Sequence, residues 1–142
     1  MKQAITAKVV KITTNKAEKI LLNSGFKKKQ AQVILSKVTN FCQHWKILEM
    51  SLFGSVLRED FRVDSDIDVL YKFAPNHGWD LFDIVQMKEE LEEIFGRKVD
   101  LVNQEGLKNP YRRYEILKTH QLIYRHEQSW GWLSLGYGRS YY

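Results

Sequence analysis

The stretch Phe53–Leu70, FGSVLREDFRVDSDIDVL, decides how the rest of this chain is read. It begins at the end of ILEMSLF (47–53), where Leu48, Met50 and Leu52 alternate with Glu49 and Ser51. That period of two predicts a half-buried strand. Gly54-Ser55 interrupts the alternation. Ten residues later, Asp66-Ile67-Asp68 opens IDVLYKF (67–73), a second strand rich in β-formers. Residues i and i+2 of a strand share a face, so the carboxylates of Asp66 and Asp68 point the same way. Two unpaired carboxylates that close repel and raise each other's pKa. A divalent cation relieves the repulsion, and hard oxygen ligands suit Mg²⁺.

A third acid fits the pair. In KVDLVN (98–103), a third predicted strand, Val99 and Leu101 face the core and Asp100 faces the other way. Gly54 permits close backbone approach, and if Ser55 opens a short helix its free N–H groups form an anion site. A phosphate cradle beside metal-binding carboxylates is the layout for two-metal nucleotidyl transfer. Arg58, one turn further on, has two readings: a phosphate contact or an ion pair with a nearby acid. A calcium loop is excluded, because the glycine and the acid required at loop positions six and twelve are replaced by Val69 and Pro75.

The flanking sequence supplies the scaffold. Residues 4–13 read as a strand or a frayed helix, and Thr14 or Asn15 can cap a short helix through Leu22. Lys28–Trp45 predicts a longer helix with a buried stripe of Ala31, Ile34, Val38, Phe41, Cys42 and Trp45. Cys42 on that stripe reads as a core thiol. Asp80 caps a helix whose period runs through Leu81, Ile84, Val85, Lys88, Leu91 and Ile94 to Gly96. Pro110 opens a helix over Tyr111–His120, and Leu122–Tyr124 adds a last short strand. His44, His77, His120 and His126 lack metal-ligand spacing to one another and read as surface or helix-end residues, with loop placement beside the second strand the one argument for His77 near the site. Arg112 and Arg113 read as an exposed helix face, with contact to a nucleotide or an acidic partner face as the alternative.

Composition sets the outer bounds. The chain has 142 residues, 44% hydrophobic and 27% charged, which predicts one soluble domain. No apolar run is longer than three residues, so neither a membrane span nor a secretory signal is expected. Cys42 is the only cysteine, which excludes a disulfide framework and predicts a cytoplasmic setting. The net charge of +5 is uneven. Residues 1–48 hold ten lysines and one acid, Glu18, whereas residues 49–142 hold 12 bases and 16 acids. A basic arm of this kind reads as a solvated face or as a contact for an anionic partner; nucleic acid is not favoured. The tail 128–142 has five aromatic residues and three glycines without helical period, and reads as an extension of a single domain spanning 1–127.

Residues 53–70, with the helix, the KVDLV strand and the NPYRRYEILKTHQLIY segment that follow, resemble the minimal (MNT) branch of the DNA polymerase β-like nucleotidyltransferases. The resemblance runs from about Gln30 to Tyr124. It implies an α+β palm, a small mixed sheet flanked by helices, here with a basic N-terminal extension over 1–28. It implies that Gly54 and Ser55 hold the triphosphate of ATP and that Asp66 and Asp68 bind Mg²⁺, two ions in all. It implies that Asp100 completes the triad and helps to deprotonate the attacking hydroxyl. Leu57, Arg58 and Glu59 stand where the family often has a small residue, arginine and glycine, so only Arg58 carries over. The resemblance further implies an antitoxin that transfers AMP to a tyrosine of a cognate HEPN RNase toxin. The alternatives are an antitoxin acting by occlusion, or transfer to RNA or a small molecule.

Overall fold

The computed structural model describes residues 16–58 and 65–126. The expectations for residues 4–15 and for the aromatic tail lie outside them. The architecture is α+β. Helix α1 (16–23) leads into α2 (Lys28–His44), β1 (Ile47–Phe53) and a 3₁₀ turn over Gly54–Leu57. Then come β2 (Ile67–Phe73), α3 (Leu81–Phe95), β3 (Val99–Asn103), α4 (Pro110–Thr119) and β4 (Gln121–Arg125). The four strands form one mixed sheet in the order β3-β2-β1-β4. β1 is antiparallel to both β2 and β4, while β2 and β3 are parallel. A parallel pair needs a long crossover, and α3 supplies it.

Alternation along β2 divides the molecule into two layers. Ile67, Val69, Tyr71 and Phe73 join the main core with Met50 and Leu52 of β1. Helix α2 covers them with Ala31, Ile34, Leu35, Val38, Phe41 and Cys42, all buried. Trp45 is buried too, but as the residue that ends α2. Its indole N–H donates to Glu90 at 3.0 Å, and Trp79 donates to the Trp45 carbonyl at 2.7 Å, so the α2–β1 junction is tied to α3. On the opposite face Phe53, Leu70, Leu107 and Ile116 form a small second core, with Val102 and Leu117 against it. Thus α4 lies over the face that also carries Asp68 and Asp100.

Helix α1 is built into the fold. Ala17, Leu21 and Phe26 belong to the main core. The buried Ser24 hydroxyl bridges the Ile20 carbonyl at 2.8 Å and the Val56 carbonyl at 2.9 Å. That pair of contacts fixes the end of α1 against the Gly54–Leu57 turn.

Helix α3 departs from the expected stripe. Its buried residues are Met87, Leu91 and Phe95, each four apart. Leu81, Phe82 and Val85 are 82%, 84% and 57% exposed. Ile84 and Ile94 of the expected stripe pack partly buried against the core, whereas Leu81 and Val85 face away from it. The ends behave as read: Asp80 accepts the Asp83 N–H at 3.0 Å, Asp83 accepts the Asp80 N–H at 2.9 Å, and Gly96 closes the helix at φ 69°.

Candidate active site

Strand register brings the site together. Asp68 is directly opposite Asp100 in the parallel β2–β3 pair and opposite Phe53 in the antiparallel β1–β2 pair. Gly54 follows Phe53, so the Gly-Ser turn abuts the start of β2. Gly54 has φ +74°, and a methyl group on its Cα would collide with the Asp68 carboxylate. Glycine is therefore required twice over: for its dihedral and for the room it leaves. The backbone N–H of Ser55 donates to the Asp68 carboxylate. The short helical turn expected after Gly54 is present, and in this structure Asp68 itself takes one of its amides.

The acids differ in setting. Asp68 is half-buried, whereas Asp66 and Asp100 are exposed. Asp66 lies just before β2 instead of within it, since the strand begins at Ile67. Burial pushes the Asp68 carboxyl above the ordinary aspartate range, and the charges of Asp100 and Asp66 push it further. The Ser55 amide and Arg112 act in the opposite sense. Among the described residues no three acidic, histidine or cysteine side chains form a ready-made metal cage. An all-oxygen donor set whose members repel one another nevertheless fits Mg²⁺, which is commonly held by one or two carboxylates together with substrate phosphates and water.

The remaining residues fall into place unevenly. Arg58 ends the 3₁₀ turn, its N–H donating to the Ser55 carbonyl at 3.0 Å, and lines an open groove that begins at Gly54. His77 is not at the site. It stacks on Phe73, with ring centroids 4.1 Å apart, at the far end of β2. Asp68 is the second residue of that seven-residue strand and Phe73 the last, so about 17 Å separates them. His120 likewise has a structural partner, the buried Ser51 hydroxyl at 2.8 Å. Arg112 is exposed, as the helix-face reading expects, and in addition its charge acts on Asp68. It is four residues before Ile116, hence on the helix face that packs over Phe53 and Leu70. The signal was the spacing from Ile116, which becomes legible only once α4 is known to cover this face of the sheet.

Comparison with known proteins agrees with this geometry. The family model for the nucleotidyltransferase domain matches residues 35–123, more than half of the chain. The chain belongs to that family. A Methanocaldococcus jannaschii protein whose name marks it as an inferred protein adenylyltransferase is 35% identical over 80 residues, spanning 56% of this chain and 78% of the relative. A solved structure described as a minimal nucleotidyltransferase superposes with a TM-score of 0.56 at 30% identity, covering 68% of this chain and 96% of the other. A chain from the complex of a tri-AMPylated Shewanella oneidensis HEPN toxin with its MNT antitoxin shares the fold, at a TM-score of 0.50 and 17% identity, over 78% of this chain and 85% of the other. The family match contains Gly54, Ser55, Asp66, Asp68 and Asp100. Helix α1 lies outside it.

Proposed function

We propose that this nucleotidyltransferase is a protein adenylyltransferase antitoxin that moves AMP from ATP to a tyrosine hydroxyl of a cognate HEPN toxin. The observation that carries the reading is the register match of Asp68 with Asp100 beside Gly54-Ser55. That adjacency supports Asp100 as the base, Asp66 and Asp68 as metal-binding acids and the Gly-Ser turn as the phosphate cradle. The relative named for protein adenylylation and the fold shared with the HEPN–MNT complex support the donor and the partner. The exposed Leu81, Phe82, Tyr111 and Tyr114 offer apolar surface for a protein acceptor.

The chemistry follows from the positions. Mg²⁺ held by Asp66, Asp68 and Asp100 would neutralise the triphosphate and stabilise charge on the α-phosphoryl group. Gly54 and Ser55 orient the phosphates through backbone N–H groups. Arg112, facing the same cluster from α4, adds a fixed positive charge. Asp100 accepts the proton of the attacking tyrosine. The tyrosine oxygen then bonds to the α-phosphorus, the bond from that phosphorus to the bridging oxygen breaks, and pyrophosphate departs. The reaction belongs in the cytoplasm, where ATP is abundant.

The test is intact-mass spectrometry of the chain and its cognate toxin after incubation with ATP and Mg²⁺. An adduct of one or more AMP groups on the toxin, abolished in Asp66→Asn, is the expected result. A stable complex that shows no adduct contradicts the reading and leaves occlusion as the mode of neutralisation.

A further inference from the structure

The strand order gives the site a direction. From β3 to β2 to β1 the strands present Asp100, then Asp68, then Gly54. In-line displacement puts the attacking oxygen and the leaving group on opposite sides of the α-phosphorus. With the acceptor at Asp100, the leaving pyrophosphate heads past Gly54 toward β4. An open groove of about 820 Å³ begins there, on the side away from Asp100. Its charged rim is Lys16 and Lys19 of α1, Arg58 of the turn, and Lys118 of α4, against the single carboxylate of Glu115. Lys118 is 3.5 Å from Glu115. Among the described residues no acidic side chain pairs with Lys16 or Lys19.

We propose that this groove is a pyrophosphate subsite, in which Lys16 and Lys19 bind the β- and γ-phosphates of the donor and hold the pyrophosphate before it leaves. The proposal rests on the reading of Asp100 as the acceptor side. Three observations favour a polyphosphate over a nucleic-acid strand. The groove is continuous with Gly54, which already touches the catalytic acid. Among the described residues no aromatic ring lines it, whereas single-strand sites stack bases on such rings. The helix that supplies the lysines is fixed against the phosphate-binding turn by Ser24, so the two charges stand at a set distance from it. Part of the lysine-rich N-terminal region thereby acquires a function that helix propensity alone does not give it.

The experiment is calorimetric titration of the full-length protein with inorganic pyrophosphate in magnesium-free buffer, where the acids contribute only repulsion. Both lysines are exposed, so Lys16→Gln/Lys19→Gln is expected to fold, and circular dichroism verifies it. Lys37→Gln, the same kind of charge change on α2, is the control. The expected result is binding by wild type that weakens on the order of ten-fold in the double variant and is unchanged in the control. Under Mg²⁺-dependent turnover the double variant should show weaker product inhibition by pyrophosphate and a raised KM for ATP. Equal affinity in wild type and double variant, no binding by wild type, or an equal loss in the control each overturns the subsite. Pyrophosphate binding that depends on Lys16 and Lys19 in a protein that transfers no AMP keeps the groove and contradicts the proposed reaction instead, so the two failures are distinguishable.

Discussion

Asp68 carries the tension of this fold. Its carboxyl is raised above the ordinary range by burial and by two neighbouring acids, so the folded state binds a proton there more tightly than the unfolded chain does. By linkage, the favourable contribution is complete below the unfolded pKa and disappears as pH rises through the folded one. At neutral pH without metal, ionised Asp68 therefore opposes folding. Asp68→Asn should raise the melting temperature of metal-free protein by about 2 °C while abolishing transfer, as functional sites commonly trade stability for activity. The gain should shrink as the wild type is taken to acid pH; a thermal-shift series across pH reads both. Arg112 has the opposite effect on Asp68. Arg112→Gln should move the acid limb of the pH–rate profile to higher pH, and Arg112→Lys should restore it. At Gly54, alanine meets both a positive φ and the Asp68 carboxylate. Gly54→Ala should cost about 1–3 kcal/mol of stability, measured by urea denaturation. It should also lower kcat about a hundred-fold through displacement of the acid.

At the scale of elements, periodicity was a good guide to α2 and a poor one to the start of α3. All six stripe residues read from α2 are buried, because that helix lies along the sheet over its whole length. In α3 the same reasoning marks Leu81 and Val85 as core, yet both are exposed, while Ile84 beside them packs on the core. Propensity reports what a residue can bury, not which way it faces. The contrast is measurable. Leu91→Ala, fully buried, should cost about 2–5 kcal/mol. Phe82→Ser, 84% exposed, should leave stability within about 0.5 kcal/mol in the same denaturation assay. The placement of Asp68 and Asp100 on one face of the sheet was legible for a different reason. Strand alternation and turn glycine act over two or three residues, so Asp68, Asp100 and Gly54 announce themselves locally. Arg112, Lys16 and Lys19 do not, because their relevance depends on which face α4 covers and on where α1 docks. His77 sits where the favoured surface reading put it, since the loop that follows β2 in sequence is at the end of β2 away from Asp68.

Across the whole molecule, the sheet order converts a list of motif residues into a line of action. Asp100 and Asp68 come from adjacent strands and Gly54 directly follows the next one, and the cationic groove beyond Gly54 is lined by α1 and the end of α4. Acids at one end and lysines at the other give the site a polarity that matches the path of a nucleotidyl group and its leaving pyrophosphate. On the proposed reaction the uneven charge visible in the sequence is partly an image of that path, although the order of the strands had to be known before it meant anything. The central claim is that the bond broken lies between the α- and β-phosphates of the donor. The most direct measurement incubates the protein and its cognate toxin with Mg²⁺ and ATP radiolabelled at either the α- or the γ-phosphate, and follows the label on denaturing gels. The account predicts toxin labelled from the α-position alone, with label from the γ-position appearing in pyrophosphate. Label transferred from the γ-position, or from neither, would contradict it.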